Sequence, residues 1–173
     1  MKRIAMSVAL LTIAAASFAQ APAASATPVA NPLLTEARTA YNRVKVNVIK
    51  AAEAMTEEGY SFSPTKDERA FLKVAAHVAD SQLPACSGIL GDRKTGDAEK
   101  SANKAELVAK LKASFDVCDK AFDTLTDATA TDTSKGRSKL ATVWGLYAHN
   151  QEQYAIMAAY MRQKGIKPPT AQN

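Results

Sequence analysis

Two histidines and one glutamine are the side chains of this sequence best suited to metal chemistry. His149 lies in "AHNQEQYAIM", a stretch with helical character, and Gln153 follows one helical turn later. Residues four apart share one helix face, and histidines at this spacing form metal-binding pairs. His77 lies in the middle of a second helical stretch, "FLKVAAHVADSQ". The candidate metal ligands are therefore His77, His149 and Gln153, with Gln153 in a position that a histidine would fill better.

A second interpretation of the same residues needs no metal. A partly buried histidine beside a glutamine can exchange hydrogen bonds within a core. Catalytic zinc commonly has three protein ligands drawn from His, Asp, Glu and Cys, and an amide oxygen is a poor substitute for imidazole on zinc or nickel. Asp80 and Glu152 are nearby carboxylates, but Glu152 points about 100° around its helix from Gln153. Both interpretations remain open.

The chain begins with the pattern of a cleaved secretory signal. Lys2 and Arg3 precede an apolar run of about 13 residues, too short to span a bilayer comfortably, and small residues precede Gln20. We predict a signal peptide over residues 1–19, a disordered lead-in over 20–30 and one domain over 31–169. The predicted location is a bacterial periplasm, without membrane attachment after cleavage.

Several functional classes are disfavoured by charge and motif content. The formal charge of +5 falls to +3 without Lys2 and Arg3, and no basic cluster remains, which argues against nucleic-acid binding. No Ser-His-Asp triad pattern or phosphate-binding loop is present. Cys86 and Cys118 form neither a CxxC motif nor a zinc knuckle. In an oxidising compartment we expect a disulfide between them, and the alternative is two buried thiols that pack as small apolar residues.

Four helical segments account for nearly all of the sequence after residue 30. They are predicted over about 31–55, 66–90, 103–125 and 137–164, each with apolar residues three and four positions apart. No alternating apolar run is long enough for a sheet, so the fold class is all-α, a four-helix bundle. Four aromatic residues are expected in the core or a pocket wall rather than in a cofactor stack: Tyr41, Trp144, Tyr147 and Tyr154.

Helix ends are marked by local signals. Asn31 is a predicted cap with proline after it, and Asn103 with Glu106 has the pattern of a capping box. Pro84 should kink the second helix or end its regular part. A Thr- and Asp-rich loop is expected to lead to Gly136 and the last helix.

The lengths of the segments bear on topology. The second and third helices are each roughly 36 Å long, and the connection of about 12 residues between them could span roughly 40 Å. A crossover that long would leave the two helices parallel. Cys86 and Cys118 would then differ in height by only about 6 Å, whereas antiparallel helices would separate them widely. A disulfide and a crossover topology therefore support each other.

Together the segments resemble the secreted members of the DinB-like superfamily of four-helix proteins. The resemblance rests on four stretches in order: "NPLLTEARTAYNRVKVNVIKAAEAM", "FLKVAAHVADSQLPACSGILG", "KAELVAKLKASFDVCDKAFDTL" and "AHNQEQYAIMAAYMRQKGIKPP". It implies a bundle with a long crossover between helices two and three. Metal-binding members place one histidine on the second helix and an HxxxH pair on the fourth, so His77 and His149 match while Gln153 departs from the pattern.

Two functions follow from the resemblance. The first is an enzyme like the family's thiol-dependent transferases and isomerases or its hydrolase-like members, with zinc or nickel held weakly by His77, His149 and Gln153. The second is a non-catalytic periplasmic bundle that has lost its metal and binds a small molecule or serves a stress role. The implied partner is a small-molecule ligand or thiol. Family members often form homodimers, which no feature of this sequence requires.

Overall fold

Five α-helices make up the part of the chain that the computed structural model describes, residues 30–134 and 136–171. They are α1 (Pro32–Ala54), α2 (Phe71–Ile89), α3 (Lys104–Asp123), α4 (Asp127–Thr131) and α5 (Lys139–Gln163). Within these residues there is no β-strand, and no helix is long and apolar enough to cross a membrane. The predicted signal peptide, and the lead-in up to residue 29, lie outside the described residues.

The four long helices form a bundle in which α2 and α3 are parallel neighbours. Gln82 bonds to Ser114 at 2.6 Å, and the Cα atoms of Cys86 and Cys118 are 4.9 Å apart. Both pairs advance in the same direction along the two helices, which establishes the parallel arrangement. Residues 90–103 therefore cross the length of the bundle, and the predicted crossover between the second and third long helices is confirmed.

The other long helices run opposite to this pair. Two ion pairs show the direction of α1 against α3. Arg38 near the start of α1 pairs with Asp123 at the end of α3 at 2.7 Å, and Glu53 near the end of α1 pairs with Lys112 in the first half of α3 at 2.6 Å. The Tyr160 hydroxyl near the end of α5 donates to the carbonyl of Arg69, just before α2. Thus α1 is antiparallel to α3, and α5 is antiparallel to α2. The two histidine-bearing helices, α2 and α5, consequently pass side by side.

Asp80 fixes the crossover against α2. Its carboxylate accepts the backbone N–H groups of Ala98 at 2.7 Å and Glu99 at 3.1 Å. A Cβ atom at Gly96 would overlap this carboxylate, so the close approach depends on glycine at that position. The Asp80 carboxylate is therefore committed to loop backbone rather than to a site between α2 and α5.

The start of α2 differs from the prediction, whereas its end is within one residue of the predicted position. The helix begins at Phe71 rather than near residue 66, because the Phe71 N–H bonds the Phe62 carbonyl at 2.9 Å and holds the preceding segment as a loop. Pro84 does not end the helix, which continues to Ile89. The buried Cys86 packs the residues beyond Pro84 against α3, and this tertiary contact outweighs the loss of one backbone donor.

The N-terminus of α1 is capped by a residue far away in sequence. Asn31 has left-handed backbone angles and makes no side-chain cap. The Asp127 carboxylate instead accepts the N–H groups of Leu33 at 3.1 Å and Leu34 at 3.0 Å, while the Asn31 side chain accepts the Asp127 N–H at 2.9 Å. Asn31 therefore occupies the predicted N-cap position with Pro32 after it, but Asp127 and not the Asn31 side chain accepts the first N–H groups of the helix. Asp127 belongs to α4, a short helix inside the segment predicted to be a loop.

The predicted start of α3 is largely correct. Asn103 accepts the Glu106 N–H at 2.9 Å, whereas the Glu106 carboxylate accepts from Ala102 rather than from Asn103. Among the aromatic residues, Tyr41 and Tyr154 are buried in the core. Trp144 is 38% exposed and packs edge-on against Tyr147, so of the two predicted places it does not occupy the core.

Candidate functional site

The two histidines meet between α2 and α5. The ring centroids of His77 and His149 are 4.9 Å apart, and the ring planes are inclined by 65°. Both side chains are partly buried. Because each histidine lies near the middle of its helix, the antiparallel contact of α2 and α5 brings them to the same height in the bundle. Two imidazoles at this separation can contact the same ion or small ligand.

Gln153 is also on the inner face of α5 and is only 3% exposed. Its Oε1 atom is buried and has no hydrogen-bond partner in the structure. The Nε2 atom of His149, one helical turn earlier, is buried and without a partner as well. Buried polar atoms nearly always have partners in native proteins, so two such atoms on one helix face mark a place for a ligand, an ion or water.

The surroundings of His77 favour the neutral form of its imidazole. Partial burial lowers the pKa of its imidazole, and the positive charge of Arg69 and the neighbouring His149 ring lower it further. The Ser81 hydroxyl lies 3.4 Å from Nδ1 and 3.5 Å from Nε2, close to the upper limit for a hydrogen bond. A neutral imidazole keeps one lone pair available to bind a cation.

The two carboxylates near the histidines in sequence do not join them in space. Asp80 bonds the crossover backbone, and Glu152 is exposed on α5. Within residues 30–134 and 136–171, no three side chains drawn from His, Cys, Asp and Glu form a cluster suited to a metal. The remaining groups at this place are the two imidazoles and, one helical turn from His149, the amide oxygen of Gln153.

A buried polar network lies beside the histidine pair. Gln82 on α2 accepts the Tyr41 hydroxyl at 2.8 Å and the Asn150 amide at 3.0 Å through its Oε1, and it donates to Ser114 at 2.6 Å through its Nε2. The four residues come from α2, α1, α5 and α3, so one network joins all four long helices. Asn150 also contacts Nδ1 of His149 at 3.2 Å through its Oδ1.

Sequence reasoning missed this network, although a signal for it was present. Gln82 stands between Val78 and Cys86 on the apolar face of α2, and Asn150 stands at an equally buried position of α5. A polar residue in an apolar stripe indicates a buried partner. Burial also raises the pKa of Tyr41 well above its usual value, so its hydroxyl remains protonated and can donate to Gln82.

Cys86 and Cys118 lie one helical turn beyond Gln82 and Ser114 on the same α2–α3 contact. The structure brings them to disulfide distance, with both residues buried. Their Cα separation of 4.9 Å is within the range of protein disulfides. The formation of the bond in the native protein stays a prediction, which thiol titration can test.

Comparisons with known proteins agree with the fold. A family model of the DinB superfamily matches residues 40–154, a span that includes both histidines and Gln153. The crystal structure of a DinB-like protein from Bacillus cereus ATCC 10987 superposes with a TM-score of 0.65 at 17% sequence identity, covering 78% of this chain and 95% of that one. At this identity the similarity establishes the fold alone. No curated protein matches the sequence. Because the family match spans most of the bundle, the chain belongs to the DinB superfamily.

Proposed function

We propose that this protein binds a divalent metal ion between α2 and α5 through His77 and His149, with Gln153 as a weak third ligand. The observation that carries the proposal is the pair of buried, unpartnered atoms, His149 Nε2 and Gln153 Oε1, beside a second imidazole. Each buried polar atom left without a partner costs roughly 1–3 kcal/mol. A bound cation would offset that cost at both atoms.

The spacing of the rings suits a shared ion. An ion about 2.1 Å from one nitrogen of each ring stands roughly 3.2 Å from each ring centre. With the two centres 4.9 Å apart, the directions to the rings open at about 100°, close to the tetrahedral angle that zinc favours. The separation of His77 and His149 therefore needs little adjustment for both to hold one ion.

The residues present favour weak binding with open positions. Two imidazoles and a neutral amide leave room for a small molecule at the ion, and the lowered pKa of His77 favours the neutral form that can bind a cation. A divalent ion at this site would lower the pKa of a bound thiol or water. A small thiol is accordingly the proposed substrate class, in line with the thiol-dependent transferases and hydrolase-like enzymes that the family resemblance implies.

A second candidate function is the binding of a small molecule without metal. It is favoured by the lack of a third histidine or carboxylate at the pair, among the residues that the structure describes. A cavity of about 450 Å³ also lies between α1 and α5, with Thr39, Arg43 and Gln151 among its lining residues and neither histidine among them. This candidate predicts that His77 and His149 act only as hydrogen-bonding groups.

Calorimetric titration with zinc and with nickel separates the two candidates. Metal-stripped protein should bind one ion per chain, and His77→Ala and His149→Ala should each lower the affinity at least tenfold. Glu152→Ala is the matched control, because this exposed carboxylate lies next to Gln153 on α5 and should leave the affinity unchanged. Equal affinity in the histidine variants, or no binding by the unaltered protein, would reject the metal site and favour the second candidate.

A further inference from the structure

We propose that the buried network centred on Gln82 fixes His149 in the tautomer that carries its proton on Nδ1, with Asn150 as the positioning residue. The lone pair of His149 is then on Nε2, the unpartnered atom at the candidate site. The tautomer itself follows from the network alone. Its consequence for ligand choice rests on the proposed function.

The direction of the hydrogen bonds in the network is determined at Ser114, on the side of Gln82 away from His149. The Ser114 hydroxyl lies 2.7 Å from the carbonyl oxygen of Leu111. A carbonyl cannot donate, so the single hydroxyl proton of Ser114 must lie in this bond. The Ser114 oxygen can therefore only accept from Gln82, 2.6 Å away. This requirement places the amide nitrogen of Gln82 toward Ser114 and its oxygen toward α1 and α5.

The orientation of the Gln82 amide determines that of Asn150 and, through Asn150, the position of the proton on His149. The Gln82 oxygen must accept from both of its remaining neighbours, the hydroxyl of Tyr41 and the side chain of Asn150. Asn150 therefore presents its amide nitrogen to Gln82 and its oxygen to His149. That oxygen lies 3.2 Å from Nδ1 of His149 and can only accept, so Nδ1 carries the proton.

This arrangement selects the chemistry of the ligand at the site. In the neutral imidazole of His149, Nε2 is a buried lone pair, and Gln153 Oε1 is a second buried acceptor on the same helix face. Two acceptors favour a cation or a hydrogen-bond donor and disfavour an anionic group in direct contact. If Nε2 carried the proton instead, His149 could not bind a metal through that atom. Asn150 would thus act on the ligand only through His149, without contacting it.

Nitrogen-15 NMR of the histidine rings tests the tautomer directly. At about pH 8, where an ordinary imidazole is neutral, two-bond nitrogen–proton correlations distinguish a protonated ring nitrogen from one with a lone pair. The His149 signals, assigned by comparison with His77→Ala, should show a protonated Nδ1 and a lone pair on Nε2 in metal-free protein. A protonated Nε2 in the unaltered protein would overturn the proposal.

Variants of the network residues distinguish a role of Asn150 in positioning His149 from a general contribution of Asn150 to the stability of the fold. Asn150→Leu removes the acceptor and should release His149 to the Nε2–H tautomer, and Gln82→Leu should give a mixture because Asn150 is then free to turn. Asn150→Asp keeps an oxygen toward Nδ1 and should retain the native tautomer, at a cost in stability because it no longer donates to Gln82. Gln163→Leu, at an exposed position near the end of α5, is the control and should change nothing. Retention of the Nδ1–H tautomer in a folded Asn150→Leu protein would also overturn the proposal.

Zinc titration of the same variants distinguishes failure of this inference from failure of the proposed function. Asn150→Leu should weaken zinc binding by 10- to 100-fold, about the effect of removing a group that orients a metal-bound histidine, and Asn150→Asp should restore most of it. If Asn150→Leu, folded by circular dichroism, binds zinc normally, the positioning role is refuted. If the native tautomer is as expected but zinc does not bind, the tautomer assignment stands and the metal site falls.

Discussion

Reduction of the Cys86–Cys118 bond should destabilise the protein by an amount that the structure allows us to work out. The two cysteines are 32 residues apart in sequence and both are buried at the α2–α3 contact. The loop-closure relation for a loop of this length gives about 12 cal/mol/K, or about 3.7 kcal/mol at 25 °C. For a domain of roughly 140 residues, this corresponds to a fall of about 12 °C in Tm.

Urea unfolding of oxidised and reduced protein is the assay. Because both cysteines are buried, reduction should be carried out in denaturant and followed by refolding with reductant present. The matched variant is the Cys86→Ala, Cys118→Ala double substitution, which cannot form the bond. It should be insensitive to reductant and no more stable than the reduced protein, because it also loses two buried sulfur atoms.

Two results would refute this reasoning. One is titration of two free thiols in protein denatured without reductant, which would show that the bond is not formed. The other is an equal free energy of unfolding for the oxidised and reduced forms. The second result would mean that the packing of α2 against α3, rather than the covalent link, determines the stability of the crossover.

The remaining predictions concern the site, the start of α1 and the N-terminus. Gln153→His should raise zinc affinity more than tenfold by supplying a third imidazole on the face of His149, whereas Glu152→His, one residue away, should not. Equal zinc affinity of the Gln153→His variant and the unaltered protein would show that His77 and His149 do not bind a common ion. Asp127→Ala should lower the free energy of unfolding by about 1–2 kcal/mol, since it removes the acceptor for two N–H groups of α1. Asp116→Ala, at an exposed position of α3, should have little effect, and equal stability of the two variants would argue against capping by Asp127. Protein exported by a bacterial host should begin at Gln20 by mass spectrometry, and an intact Met1 would contradict the predicted signal peptide.

The long helices could be predicted because their apolar residues repeat over many turns. The stripe of α3, for example, places Leu107, Leu111 and Phe115 on one face, and all three are buried. The helix α4 has only five residues, too few to show a period. Its residue Asp127 caps α1 from 94 residues away, a contact that no local signal at Asn31 reveals. Local patterns thus predicted the helices but not the contacts between their ends.

The sequence predicted which residues form the candidate site, but it did not predict the hydrogen bonds that join them. The central positions of His77 and His149 indicated a similar height in the bundle, and the structure places their rings 4.9 Å apart. The polar residue Gln82 within an apolar stripe signals that a partner exists. It does not say that Tyr41, Ser114 and Asn150 are the partners, because this depends on how four helices pack together.

The most direct test of the metal site is anomalous X-ray diffraction at the zinc edge, from crystals grown with zinc. We predict a zinc peak between α2 and α5, about 2.0–2.1 Å from a ring nitrogen of His77 and from Nε2 of His149. The peak should be absent from crystals of His149→Ala grown under the same conditions. Zinc found only at other positions, with the His77–His149 pair unbound, would contradict the account.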